Sequence, residues 1–81
     1  TVAGMSQRTF LRRFEAATGQ TPARWLLAER LARARDLLET SSVGVDHVAE
    51  AVGLGAPALR HHFRRQFSTT PGAYRARFAR G

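Results

Sequence analysis

Gly4-Met5-Ser6-Gln7-Arg8-Thr9-Phe10-Leu11-Arg12-Arg13-Phe14 returns in outline 49 residues later, and that return decides the fold. The offset pairs Gly4 with Gly53, Met5 with Leu54, Phe10 with Leu59 and Phe14 with Phe63. It continues through Thr21-Pro22 with Thr70-Pro71 and Trp25 with Tyr74. A glycine, an apolar spacer, two apolar anchors four apart, Thr-Pro and an aromatic stay in register without a gap. Self-similarity at such a period marks two copies of one supersecondary unit.

Each copy reads as helical. Phe10, Phe14 and Ala17 share one stripe, expected to face inward, with Ser6 as N-cap and Gly19 as the C-terminal stop. The second copy runs Leu59, Phe63 and Phe67 and has Ser68 where the first has Gly19, a residue that tolerates a left-handed cap poorly. Thr21-Pro22 and Thr70-Pro71 each place an N-cap before a proline at the first helical position. Between the copies, Pro22 to about Glu39 reads as one long amphipathic helix. Leu27, Leu31, Ala34 and Leu38 mark its buried stripe, with Trp25 and Leu37 flanking. Glu29–Arg33 and Arg35–Glu39, four apart, are expected to pair on its wet face.

A loop, Thr40 to Gly44, leads to a short helix over about Val45–Val52 with Val45, Val48, Ala49 and Val52 inward. Asp46 stands in its first turn, where a carboxylate suits the helix dipole. Gly53-Leu54-Gly55 supplies a turn, and a last helix starts at Pro71 and is expected to carry Tyr74 and Phe78 inward. The fold class is all-α. Val45–Phe67 has the parts of a helix-turn-helix: short apolar helix, glycine turn, second helix with a basic outer face. Residues 1–20 hold the rear half of a first such unit (second helix about 6–18), 21–40 the linker helix, and 41–81 the second unit (second helix about 56–67) with a C-terminal helix. Thr1-Val2-Ala3 reads as the last turn of the first unit's front helix, so the chain is expected to begin inside a motif.

Composition narrows the function. At 81 residues the chain supports one domain with one thin core or two small ones. Thirteen basic residues face six acidic ones, a net charge of +7, which favours a polyanionic partner. Every basic residue is Arg; bidentate guanine and phosphate recognition or a GC-rich genome would each produce that bias. Cysteine is absent, which excludes disulfides and thiolate metal sites and suits a reducing compartment. No apolar stretch approaches the roughly 20 residues of a membrane span, and no signal-peptide pattern opens the chain.

Helical phase, at about 100° per residue, sets Arg8 and Arg12 nearly opposite Phe10 and Phe14, with Leu11 on a flank and Gln7 near the buried edge. In the second copy Pro57, His61 and Arg64 take the outward arc, with Arg60 beside it. A basic helix face after a tight turn is what major-groove reading requires, since Arg can bond guanine O6 and N7 together. One such face is as often a merely solvated surface; two in register on a cationic chain favour DNA.

These residues resemble the DNA-binding domain of the AraC/XylS regulators. The resemblance rests on residues 4–14, Gly19-Gln20-Thr21-Pro22 with Trp25, Arg30-Leu31, Ala34, Leu37-Leu38, Val48-Ala49 before Gly53-Leu54, Phe63, Thr70-Pro71 and Tyr74-Arg75. Trp25-Leu26, Leu38-Glu39-Thr40 and Leu59-Arg60-His61-His62-Phe63 look like the subgroup with an N-terminal DJ-1/PfpI amidotransferase-like domain. The resemblance implies two recognition helices in successive major-groove segments of double-stranded DNA. It implies base reading by Gln7, Arg8, Leu11 and Arg12 in the first unit and by Pro57, Arg60 and His61 in the second. Around them Ser6, Arg13, Arg64, Arg65 and Arg75 are expected to hold phosphates. Pro57 offers no polar contact, so the first helix is expected to dominate sequence reading and the second to contribute more to phosphate binding. A cytoplasmic, nucleoid-associated bacterial protein with an upstream effector-sensing and dimerisation domain is implied, without cofactor or metal.

Rival readings do less well. No Gly-rich phosphate loop or HExxH motif supports an enzyme, and the chain is short for enclosing a pocket. No acidic pair completes a metal set with His47 and His61-His62, and adjacent helical residues diverge by about 100°. RNA binding wants an exposed aromatic platform that the pattern does not show. A module that recruits RNA polymerase through Glu29, Arg33 and Asp36 is the main alternative, and the two roles are compatible.

Overall fold

The computed structural model describes residues 6–78. Among them lie five helices and no strand: α1 Gln7–Thr18, α2 Pro22–Thr40, α3 Val45–Ala51, α4 Ala56–Phe67 and α5 Pro71–Ala76. Side-chain caps set three of the starts. Ser6 Oγ accepts the Thr9 amide at 3.1 Å, Thr21 Oγ1 that of Arg24 at 3.3 Å, and Thr70 Oγ1 that of Ala73 at 3.1 Å. Each satisfies a donor that the first helical turn leaves without a partner.

The helices α1 and α4 end alike. Gly19 closes α1 at φ 76°, its amide donating to Glu15 O, and Ser68 closes α4 at φ 59°, donating to Arg64 O at 2.8 Å. Ser68 accepts the left-handed backbone despite its Cβ, and the reversal it makes leads into Pro71, which is fully buried. Position in the fold overrides local preference here.

One core holds the molecule. Leu31, Ala34 and Leu38 of α2 meet Val48, Ala49 and Val52, and Leu59 and Phe63 of α4 close the cluster. Phe63 is its centre, with the Phe67 and Tyr74 rings edge-on at 4.6 and 5.7 Å. All of this lies in the second unit and the C-terminal two-thirds of α2. Leu27, expected in the buried stripe, is only partly covered at the margin.

Four expectations need correction. Phe10 does not face inward: it is 49% exposed, Phe14 is half-buried and Ala17 is exposed, so α1 contributes no buried residue. In the second unit α3 covers Leu59 and Phe63, whereas the stretch assigned to the matching helix of the first unit, Thr1-Val2-Ala3 with Gly4 and Met5 after it, lies outside the described residues. Phe78 stays exposed, beyond the end of α5, and rests on Tyr74 at 5.1 Å. Neither i,i+4 pair on α2 forms: among the described residues the one ion pair is Arg60–Asp46. Glu39 instead accepts the Tyr74 hydroxyl, and the Arg35 guanidinium lies 4.8 Å over the Phe67 ring. That carboxylate contact also holds the Tyr74 hydroxyl above the usual phenol range. Solvated helix pairs gain only a few tenths of a kcal/mol, so Arg35 and Glu39 give theirs up for partners on α4 and α5, and Glu29 and Arg33 stay exposed to solvent.

Ser68→Gly tests the strained cap. A left-handed L-residue costs about 1–2 kcal/mol, and the greater chain entropy of glycine returns about 0.5–1. The net gain of about 0.5–1 kcal/mol should raise Tm by roughly 3–6 °C in thermal unfolding followed by circular dichroism. No rise would mean that the serine carries no such strain.

Candidate nucleic-acid interface

The turn between α3 and α4 is built from main chain and one borrowed arginine. The Val52, Gly53 and Leu54 amides donate to Val48, Glu50 and Ala49 carbonyls at 3.1, 3.1 and 2.9 Å, which winds the chain tightly out of α3. Gly53 takes φ 78°, and a methyl added there would meet only ordinary contact, 3.6 Å to the Arg30 guanidinium carbon. The backbone angle, not space, therefore demands glycine. Arg30 reaches from α2 to donate to Gly53 O at 3.4 Å, tying the turn to the linker helix.

With Leu59 and Phe63 buried, α4 presents Pro57, Arg60, His61, Arg64 and Arg65 to solvent. The Arg60 Nη2 donates to Asp46 Oδ1 at 3.3 Å, so α3 holds that guanidinium from one side while its other donors remain available. His61 stands edge-on to His62 at 5.1 Å. On α1, Gln7, Arg8, Arg12 and Arg13 are exposed and Leu11 is half-buried. Phe14 meets the Trp25 ring edge-on at 6.0 Å, which sets the rotation of α1 on α2. Ser6 is engaged as a cap and its hydroxyl donates to Thr9 Oγ1 at 2.9 Å, so an anion there would meet backbone amides more than the side chain.

Arg75 behaves differently from the other expected phosphate ligands. Its guanidinium donates to Val43 O, to Ser41 O at 3.1 Å and to Leu38 O at 3.4 Å. It thus closes the C-terminal end of α2 and pins the following loop to α5. We therefore count it with the internal supports. Arg8, Arg12, Arg13, Arg64 and Arg65 have no carboxylate within 4.0 Å among the described residues, so their charge is turned outward. Two exposed basic faces, one on α1 and one on α4, sit on a body 56 Å long and 21 Å across. Such a field attracts a polyanion.

Sequence reasoning missed the supports: Arg30 under the turn, Asp46 beside Arg60, Arg75 across the loop. Asp46 was marked only for the helix dipole. None of these contacts follows a helical period, and only the charge of each residue hinted at a partner. Among the described residues no three His, Cys, Asp or Glu side chains gather into a metal-binding group.

The helix-turn-helix domain family matches residues 1–77. The DNA-binding domain of AdpA, a global transcriptional factor solved in complex with a target DNA, is similar at a TM-score of 0.88. Identity is 50%, over 93% of this chain and 68% of that one. A transcriptional regulator with an AraC-type DNA-binding domain from Chromobacterium violaceum gives a TM-score of 0.85 at 33% identity, over 95% and 70% of the two chains. The transcriptional activator NphR of a Rhodococcus species is 39% identical over 96% of this chain and 23% of its own length. The chain spans less than a third of the length of the curated relatives it matches.

Removing Arg75 should act on stability first. Hydrogen bonds from a charged donor contribute about 1.5–3 kcal/mol, so Arg75→Ala should lower Tm by on the order of 10 °C in a melting experiment. Arg75→Lys should recover only part, because an ammonium lacks the planar fork that serves three carbonyls. An unchanged Tm with weakened DNA binding would return Arg75 to the phosphate set.

Proposed function

The chain belongs to the AraC-type helix-turn-helix family, and from that membership we propose that it binds double-stranded DNA sequence-specifically as the reading part of a transcription regulator. The observation that carries this reading is the pair of exposed Arg-bearing faces on α1 and α4, joined by one rigid helix. At about 1.5 Å per residue the linker is about 28 Å long. Successive major-groove segments repeat at about 34 Å, so two helices mounted on it reach neighbouring segments once their own widths are added. The AdpA domain, of the same fold, was solved on its target DNA. The family is one of DNA-binding regulator domains rather than an enzyme class.

In this reading Arg8 and Arg12, with Gln7 and Leu11, read bases from α1, and Arg13 and the α1 N-terminus at Ser6 meet phosphates. On α4, Pro57, Arg60 and His61 face the bases, and Arg64 and Arg65 the backbone. Asp46 restrains Arg60 and Pro57 has no polar group, so α1 supplies more of the sequence preference. Residues 1–20, 21–40 and 41–81 act as first reading head, spacer and second reading head.

Effector sensing and dimerisation belong, in this proposal, to other parts of a longer protein. The DJ-1/PfpI-like subgroup is the assignment that Trp25-Leu26 and Leu59 to Phe63 favour. Glu29, Arg33 and Asp36 are exposed on α2, without ion-pair partners among the described residues, and offer a surface to RNA polymerase. We assign the protein to the bacterial cytoplasm, on the nucleoid, because its partner is there; no described helix is long and apolar enough to cross a membrane.

Selection of bound duplexes from a random pool, followed by titrations on a panel of altered sites, tests the proposal. Arg12→Ala should relax preference at one base position and cost about 1–3 kcal/mol there. Arg65→Ala should weaken all sequences alike. Equal sequence effects from both variants would sink the division of labour. Binding that ignores salt, or no binding, would favour the polymerase-recruiting role alone.

A further inference from the structure

A groove of about 510 Å³ runs between the N-terminal half of α2 and the C-terminal half of α4. Its floor is apolar, made by Leu27, Ala28 and Leu31. Both helices bring cations to it: Arg24 from α2 and Arg65 from α4, with His62 one turn from the latter. Gln20, which follows the α1 cap, and Gln66 add neutral amide donors. None of the chain's acidic residues lines it, and neither arginine has a carboxylate within 4.0 Å among the described residues. Like charges lining one open groove repel weakly in water, and an anion between them turns that repulsion into attraction.

Position narrows the anion. Around α4, Arg65 stands about 40° from His61, the middle of the outward arc. The far end of the groove is Gln20, next to the C-terminus of α1. The groove therefore lies between the end of one reading helix and the flank of the other. The chemistry of a DNA strand alternates as the groove does, with charged phosphates for Arg24 and Arg65 and an apolar deoxyribose for the leucine floor. A bare inorganic anion would leave that floor unused.

We propose that this groove seats the sugar–phosphate backbone of the bound duplex where it crosses between the two reading helices, with Arg24 of α2 and Arg65 of α4 holding phosphates. The proposal rests on the DNA-binding reading and adds Arg24, His62 and Gln20 to its interface. The contact is to backbone, so it fixes the spacing of the two helices on the duplex without reading sequence.

The test uses the full chain and its selected duplex. Arg24→Gln and Arg65→Gln should each lower the slope of log K against log salt by about 0.9, about an eightfold loss at 0.1 M salt, with base preference unchanged. Arg33→Gln, an equal charge loss on the outer side of α2, should leave the slope as it was. Ethylation of backbone phosphates should interfere with binding of the unaltered chain at positions between the two recognised segments, a readout that needs no variant to fold. Groove variants that match Arg33→Gln, or no interference between the segments, would overturn the proposal while DNA binding stands. A raised Tm with dibutyl phosphate, combined with unchanged slopes in the variants, would overturn it in favour of a free organic anion. An unaltered chain that binds no duplex would remove the DNA-binding reading and this one together.

Discussion

Ala34, fully buried on α2 between Leu31 and Leu38, sets the distance on which the molecule depends. A methyl group there lets α2 press close to the other helices, so that Val48, Ala49, Leu59 and Phe63 share one cluster with the linker. The linker is thereby more than a spacer: its C-terminal two-thirds are a wall of the second unit's core. The turn at Gly53 is then held from two directions, by its own amides and by Arg30 donating from α2. Tyr74 and Arg75 complete the arrangement by fastening α5 to the far end of the same helix.

A chain with thirteen arginines and six acids must place its cations with little help from carboxylates. It does so by sorting them. Arg30 and Arg75 spend their donors on main-chain carbonyls, Arg35 lies on an aromatic face, and Arg60 pairs with Asp46. These contacts neutralise little charge, but they give each guanidinium a fixed direction. The arginines of α1, the C-terminal half of α4 and Arg24 remain outside that internal set. Charge repulsion among them is relieved by solvent in the free chain and, in our reading, by phosphate in the complex.

Elements with local causes were legible in the sequence. The Thr-Pro starts, the left-handed stops and the apolar spacing of Val48, Ala49, Leu59 and Phe63 each depend on residues within a turn or two, and the bounds of α1 to α4 follow within a residue. Ser68 shows the same legibility with a strain attached: the repeat pointed to a stop that residue preference opposed. What escaped was nonlocal. Glu39 has Arg35 in helical reach and takes Tyr74 instead, 35 residues away, and Arg75 looked like an outward cation until three carbonyls claimed it. Phe10 misled for a related reason. Periodicity says which face of a helix is apolar, but not whether another element covers it. The outward placement of Arg8, Arg12, Pro57 and His61 was readable from phase alone, whereas the groove at Arg24 needed the crossing of two helices.

The two reading heads are consequently unequal in how they are held. The second is locked by the core, and its reading face includes a proline and a restrained Arg60. The first has the richer face, yet α1 buries no side chain and leans on α2 chiefly through Phe14 and Trp25. Elements with few buried contacts open at low free-energy cost, so the orientation of α1 is more easily altered than that of α4. A duplex that binds one orientation stabilises it by mass action. In the proposed reading, part of the gross contact energy at Arg8 and Arg12 is then consumed in holding α1 still, and affinity falls below what the same contacts would yield on a fixed helix. In that reading rigidity and sequence information reside on opposite ends of α2, and that helix is the element through which one end can position the other.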